Sequence, residues 1–314
     1  MNGLLLVDKP CGLSSFEVVR KVRRWCGTRQ VGHCGTLDPA ASGVLPVAVG
    51  SATRLVEYLM AGDKEYVATL RLGVATDTQD GEGQVLATQS WEGIGRAQLV
   101  AAAAAFVGEI EQVPPMYSAL KRDGVPLYKL ARQGVEVERR ARPVRIDTLE
   151  ILDVALPEAS LRVVCSKGTY IRTLCHDLGR QLGCGAHMAA LRRTRCGAFS
   201  IKQCTGIDQL EALAAAGRPL PYLAPAAALP GWPGLQVAVA AWPRLANGIP
   251  PTMAEVCGAP EVSPGQPVRL LAGAELAAVA GCRGGGADGR PGGFELWKVF
   301  PEALSTAEKL YSAG

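Results

Sequence analysis

Four prolines, Pro219, Pro221, Pro225 and Pro230, crowd into residues 219–231 of a 314-residue chain, among alanines and a closing glycine. Proline fixes φ and has no amide proton, so neither a helix nor a central strand runs through such a stretch. The chain therefore divides into a body of about 225 residues and a shorter remainder, with the proline-rich stretch read as a linker. A body of that length closes a substantial apolar core without disulfide staples.

The composition, 48% hydrophobic and 20% charged, is globular and excludes wholesale disorder. No apolar run approaches the roughly 20 residues that span a bilayer, the longest being Leu99–Val107. Leu4–Val7 is too short for a secretory core before Asp8 and Lys9 interrupt it. A soluble, cytoplasmic protein is expected. Ten cysteines stand at 11, 26, 34, 165, 175, 184, 196, 204, 257 and 282, with no C-x-x-C pair among them. Zinc knuckles need such pairs, because two ligands must reach one ion from a single tight turn. These cysteines read as small, reduced apolar residues, and with three scattered histidines they offer no metal set.

Leu4–Val7 reads as a buried strand ending in the turn Lys9-Pro10-Cys11-Gly12. Ser14-Ser15-Phe16-Glu17 forms a capping box, and the helix it opens carries Val18, Val22 and Trp25 on one face. Tyr66–Leu72 and Leu161–Cys165 alternate as strands, Arg96–Val107 is an alanine-rich helix stopped by Gly108, and Pro114-Pro115 opens an extended loop. Ile171, Leu174, Leu178 and Leu182 keep helical spacing until Gly183. Strands alternating with helices and basic loops indicate a mixed α+β body. After the linker, short runs at Leu235–Ala240, Val268–Leu271 and Glu295–Phe300 suggest a small β-barrel. The glycine-rich stretch Gly284–Gly293 reads as a hairpin or flexible loop, since no helix pattern follows its G-x-G-x-x-G string.

The formal net charge of +4 hides segregation. Residues 121–145 sum to +5 and residues 162–202 to +7, against −5 over residues 61–120 and −2 over residues 203–314. Two separate basic stretches favour a polyanionic partner, because clustered Lys and Arg release counterions from phosphates.

The stretch Val31–Leu45 is rich in turn-formers yet encloses His33 and Asp38 in small or apolar company. Asp38-Pro39 reads either as a turn initiator or as a carboxylate nucleophile kept ionised by a cationic partner. His33 reads either as a satisfied surface residue or as part of the same site.

Gly32-His33-x-Gly35-x-Leu37-Asp38-Pro39, followed by Ala41-x-Gly43-x-Leu45, resembles the catalytic motif of the TruB family of tRNA pseudouridine synthases. The resemblance continues in order through Asp8-Lys9-Pro10 with Gly12 and Ser14, then Lys64-x-Tyr66, Leu72-Gly73 and Thr76-Asp77-Thr78-x-Asp80. It extends through Gln112-x-Pro114-Pro115-x-Tyr117-Ser118-Ala119-x-Lys121, Ser166-x-Gly168-Thr169-Tyr170-Ile171-Arg172, and Gly185-Ala186-His187-x-x-x-Leu191-Arg192-Arg193-Thr194.

What the resemblance implies is an α+β pseudouridine synthase fold, a mixed and largely antiparallel sheet flanked by helices and loops, over residues 1–225. It also implies an RNA-gripping insertion at about 114–143 and, from Ala241-x-x-x-Leu245-x-Asn247-Gly248 and Trp297–Phe300, a PUA-like β-barrel over residues 232–304. The implied reaction isomerises uridine to pseudouridine in the T-loop of tRNA (uridine 55 in tRNA numbering): the N1–C1′ bond breaks, the base turns, and C5 joins C1′. Asp38 matches the catalytic aspartate, acting at C1′ or at C6, and Arg172 matches its arginine partner. Tyr66 matches the residue that stacks on the target base and handles the C5 proton. Tyr170 and Leu191 match the lining of the uracil pocket, His33 matches the side chain that fills the gap left by an extruded base, and Lys9 is carried over as substrate-binding.

No metal or organic cofactor is implied. The implied partner is tRNA, at the T-arm and the acceptor end, met by a monomer with no obligatory protein partner and no membrane. Two alternatives stand beside this reading: a tRNA-binding folding chaperone with incidental modification, and a relative that acts on rRNA under a guide.

Overall fold

Leu4, Leu5, Leu6 and Val7 are all buried because both faces of their strand, Gly3–Lys9, are covered. Leu5 and Val7 join one apolar cluster with Val18, Val19 and Val22 of the helix Ser15–Cys26. Leu4 and Leu6 join another on the opposite face, with Val44, Ala48 and Leu55. Alternating side chains on a strand packed on both sides give the unbroken apolar run seen in the sequence. The structure, a computed structural model, describes residues 2–258, 262–284 and 291–312.

The central sheet has ten strands. Its main order runs Thr205–Gly206, Gly3–Lys9, Ala41–Val49, Ala186–Cys196, Lys64–Leu72, Glu158–Cys165, Arg142–Ala155, Gly108–Gln112. Only Gly3–Lys9 with Thr205–Gly206 and Ala41–Val49 with Ala186–Cys196 pair in parallel; the other neighbours are antiparallel. This is the mixed, largely antiparallel sheet expected. The capping box at Ser14 and Glu17 forms, and Gly27 ends the helix at φ 60°. The alanine-rich helix ends at Ala104, earlier than expected, because Phe106 and Val107 bond back to Ala103 and Ala104 in a tightened last turn.

The remainder of the chain forms a PUA-like five-stranded sheet, in the order Val256–Cys257, Gly234–Val237, Pro267–Ala272, Glu275–Gly284, Pro291–Val299. The strand expected over Leu235–Ala240 stops at Val237, where the chain turns into a 3₁₀ segment and the helix Trp242–Ala246. The strands Glu275–Gly284 and Pro291–Val299 pair antiparallel as a hairpin would. Residues 285–290 of the glycine-rich stretch lie outside the described residues.

The proline-rich stretch is not a free linker. Leu223 exchanges both backbone hydrogen bonds with Leu4, at 2.8 and 2.9 Å, and Leu220, Ala228 and Leu229 are buried. Arg269 reaches the Trp232 and Ala226 carbonyls. Prolines report only that a segment lacks ladder donors; its leucines decide whether it packs. Tyr58, Trp232 and Trp297 meet edge and face at 5.2–5.9 Å, and Leu276, Val279 and Phe300 enter the Leu4 cluster. The two sheets therefore share a core.

Six cysteines (34, 165, 175, 184, 196 and 282) are buried with free thiols. Among the described residues, no helix is long and apolar enough to cross a membrane, and no group of His, Cys, Asp or Glu has metal-site geometry.

Candidate active site

Asp38 sits in the turn between the strands Val31–His33 and Ala41–Val49, and its neighbours in that turn are held from outside. Arg193 donates to the carbonyls of Gly35 at 3.1 Å and Thr36 at 3.3 Å. The Ser15 hydroxyl both accepts from the Leu37 amide, at 2.8 Å, and donates to the Leu37 carbonyl, at 2.9 Å. Pro39 accepts from the Gly12 amide at 2.9 Å and from the Lys9 ammonium at 3.4 Å. The Asp38 carbonyl receives the Ala41 amide at 3.0 Å. A turn restrained at this many points presents its carboxylate in one direction.

Facing that carboxylate is Arg172, in the first turn of the helix Ile171–Gln181. Its Nε stands 2.9 Å from Asp38 Oδ2, with the Arg172 side chain 6% exposed and the Asp38 side chain 39%. The rest of the guanidinium is fully engaged: Nη1 meets Asp80 Oδ2 at 3.4 Å and the Thr78 carbonyl at 3.1 Å, and Nη2 the Tyr117 carbonyl at 2.8 Å. Asp80 is itself fixed by the Thr78 hydroxyl, at 2.5 Å, and the Glu82 amide, at 3.1 Å. A buried arginine that bridges two carboxylates and two carbonyls cannot swing, and it holds the half-open Asp38 carboxylate in one direction.

Tyr66 and Leu191 lie on adjacent strands, on one face and two register positions apart. Tyr66 is opposite Arg193, and Leu191 is opposite both Ala68 and Ala41. Both belong to the apolar cluster that also holds Leu37 and Ile171. Burial pushes the Tyr66 phenol up to about 12, against the pull of the Arg193 charge. Tyr170 immediately precedes the Arg172 helix and is clasped by Gln112, which accepts from its amide at 2.8 Å and donates to its carbonyl at 3.0 Å. Burial raises its phenol as well.

His33 is placed by another strand, opposite Val47 on Ala41–Val49, and its buried Nδ1 has no partner among the described residues. Burial, and then the Arg193 charge, hold this imidazole below the usual histidine range. Lys9 is wholly buried, its ammonium on the carbonyls of Pro10, Leu13 and Pro39. It therefore contacts the turn beside Asp38 and has no open face toward a substrate. Burial lowers its ammonium from the usual lysine range.

Three residues of this arrangement were not singled out in the sequence: Asp80, Arg193 and Ser15. Asp80 carries a signal in retrospect, as the last acid of Thr76-Asp77-Thr78-x-Asp80. Arg193 lies two residues beyond Leu191 on a strand, so alternation sends it inward with Leu191. The +7 stretch changes meaning accordingly. Arg172 and Arg193 are buried, and Arg162, Arg180 and Arg192 pair with Glu65, Asp177 and Asp8. In the insertion, by contrast, Lys121, Arg122, Lys129, Arg132, Arg140 and Arg142 are all exposed.

Residues 23–171 match the model of the TruB family pseudouridylate synthase N-terminal domain, and residues 172–223 that of the tRNA pseudouridylate synthase B C-terminal domain. The chain is 47% identical over 306 residues to tRNA pseudouridine synthase B of Syntrophotalea carbinolica, covering 98% of this chain and 100% of that one. To the protein of the same name from Aromatoleum aromaticum it is 52% identical over 231 residues, 74% of each chain. Among solved structures it resembles a chain of a Cbf5-Nop10-Gar1 complex (TM-score 0.73, 27% identity, 96% of this chain and 86% of that one). It also resembles a chain of an H/ACA RNP bound to a substrate RNA containing 2′-deoxyuridine (TM-score 0.72, 26% identity, 95% and 84%). With the motif turn, the ten-stranded sheet and these matches in agreement, the chain belongs to the TruB family of pseudouridylate synthases.

Proposed function

We propose that this enzyme converts uridine to pseudouridine in the T-loop of tRNA, at uridine 55 in tRNA numbering, with Asp38 as the nucleophile. The observation that carries this reading is the contact of the half-open Asp38 carboxylate with the buried Arg172 guanidinium at 2.9 Å. A carboxylate that must attack C1′ or C6 has to be aimed and reachable, and the 2.9 Å contact and the half-open side chain support both.

The remaining roles follow from placement. Arg172 aims Asp38, and Asp80 holds Arg172. Tyr66, buried beside Leu191 with a raised phenol, offers a flat neutral ring for the target base, and stacking of that kind contributes about 1–3 kcal/mol. Tyr170 and Leu191 line the slot for the uracil. His33, neutral and poorly solvated, suits the gap from which the base is drawn. Lys9 supports the Asp38 turn through carbonyls. Residues 1–225 act as the catalytic unit, and the exposed cations of the 114–143 insertion grip tRNA phosphates, setting position without reading sequence. The sheet of residues 232–304 is the accessory unit directed to the acceptor end.

The test is Asp38→Asn on unmodified tRNA, with pseudouridine scored by carbodiimide primer extension and binding by filter retention. Product should fall by roughly a thousandfold or more, with tRNA still retained on the filter. Full activity in Asp38→Asn would remove the nucleophile assignment. Wild-type protein that binds tRNA but makes no pseudouridine would favour the chaperone reading instead.

A further inference from the structure

Arg193 is one of the largest fully buried side chains of the protein, 1% exposed, and none of the ion pairs among the described residues includes it. A buried guanidinium is normally matched by a carboxylate, since an unpaired interior charge is costly. Here three carbonyls take that place. Nε donates to Val44 at 2.7 Å, Nη2 to Gly35 at 3.1 Å and Nη1 to Thr36 at 3.3 Å. Gly35 and Thr36 lead into Asp38, and Val44 lies on the strand that leaves it. One planar group thus ties the two ends of the turn together.

The backbone is shaped around this residue. Gly43 pairs with Arg193 in parallel register at φ 106°, and a Cβ there would stand 2.2 Å from the Arg193 carbonyl oxygen. Across the other edge of the same strand Arg193 faces Tyr66. Its charge is felt at Tyr66, His33, Lys9 and Lys64. Lys64 is likewise buried and turned onto carbonyls, those of Met60 and Gly62.

We infer that Arg193 is a positioning residue for the isomerisation: its guanidinium fixes the Gly35–Asp38 turn against the Tyr66 ring, setting the gap in which carboxylate and base meet. The inference rests on the reading of Asp38 and Tyr66 given above. Lysine at this position keeps the charge but offers a single nitrogen, which cannot hold three carbonyls in the plane of a guanidinium fork. The turn then drifts while the sheet remains, and a displacement of about 1 Å at the reacting groups costs roughly a hundredfold in rate.

The experiment compares wild type, Arg193→Lys and Asp38→Asn as full-length proteins on unmodified tRNA. It reads single-turnover rate at saturating enzyme, tRNA affinity by filter binding, and amide exchange by mass spectrometry. Arg193→Lys is expected to lower the rate about a hundredfold with affinity within about twofold. Exchange should rise over Gly35–Asp38 but stay slow over Lys64–Leu72. A wild-type rate with unchanged turn exchange would overturn the inference. So would loss of protection across the whole sheet, which would make Arg193 a core-filling residue only. Asp38→Asn separates the two levels: if it stays active the Asp38 reading fails, whereas an inactive Asp38→Asn beside a fully active Arg193→Lys sinks only the role of Arg193.

Discussion

The turn that carries Asp38 and the insertion at 114–143 are both rich in nearby cations, yet they use them in opposite ways. Around the turn, Lys9, Arg172 and Arg193 are buried, and each donates to backbone carbonyls. Between Lys121 and Arg145 seven of the eight cations are exposed, two on a short hairpin, one on the five-residue helix Leu127–Ala131, and four on the chain that follows and the start of the strand Arg142–Ala155. Interior cations bonded to carbonyls remove freedom from loops; exterior cations keep their freedom and gain counterion release on a phosphate chain. The same residue types therefore serve geometry in one region and affinity in the other.

This contrast breaks most visibly at Gly43. Gly43→Ala forces a side chain into a left-handed backbone and against the Arg193 carbonyl, which should cost about 3 kcal/mol in urea-unfolding stability. A loss under about 0.5 kcal/mol would mean that the strand pair has slack and the turn is not clamped. In the insertion, Lys129→Glu with Arg140→Glu should leave unfolding unchanged within about 0.5 kcal/mol. It should weaken tRNA binding about tenfold and flatten the slope of log affinity against log salt by roughly 1.5. An unchanged slope would remove these cations from the phosphate grip.

The smallest effect concerns pH. His33 is held below its ordinary value in the folded protein, so between that value and the lower folded one the unfolded chain binds more protons. Stability is therefore lost as pH falls below about 6.5, and His33→Gln should shallow that part of the acid profile without changing stability at pH 8. An identical acid limb in the variant would show that His33 is as well solvated folded as unfolded.

Much of this architecture was legible in the residues themselves. The capping box at Ser14 and Glu17, the alternation of Tyr66–Leu72 and the helical spacing after Ile171 are local signals, and local physics produced the elements they announce. The boundary at 219–231 was legible as a break in regular structure but not as a packed seam, because the packing of half-buried Leu223 and buried Leu229 depends on strands more than 200 residues away in sequence. Charge was the least legible feature. A linear sum treats Arg172, Arg192 and Arg193 alike, whereas one bridges carboxylates, one pairs with Asp8, and one is held by carbonyls. Asp80 and Arg193 stand in the sequence only as members of motif blocks, with no role of their own, since their importance lies in what the fold brings to them.

The pairing of Leu4 with Leu223 carries a temporal consequence. On the ribosome the strand Gly3–Lys9 emerges well before the residues that complete its outer edge, Thr205–Gly206 and then Leu223, which follow about 200 residues later, many seconds on at ordinary elongation rates. Until then a strand with four consecutive apolar residues has an open hydrogen-bonding edge, the kind of template on which nascent chains mispair. Leu276 and Phe300 pack into the same cluster as Leu4, so segments made late seal a strand made early.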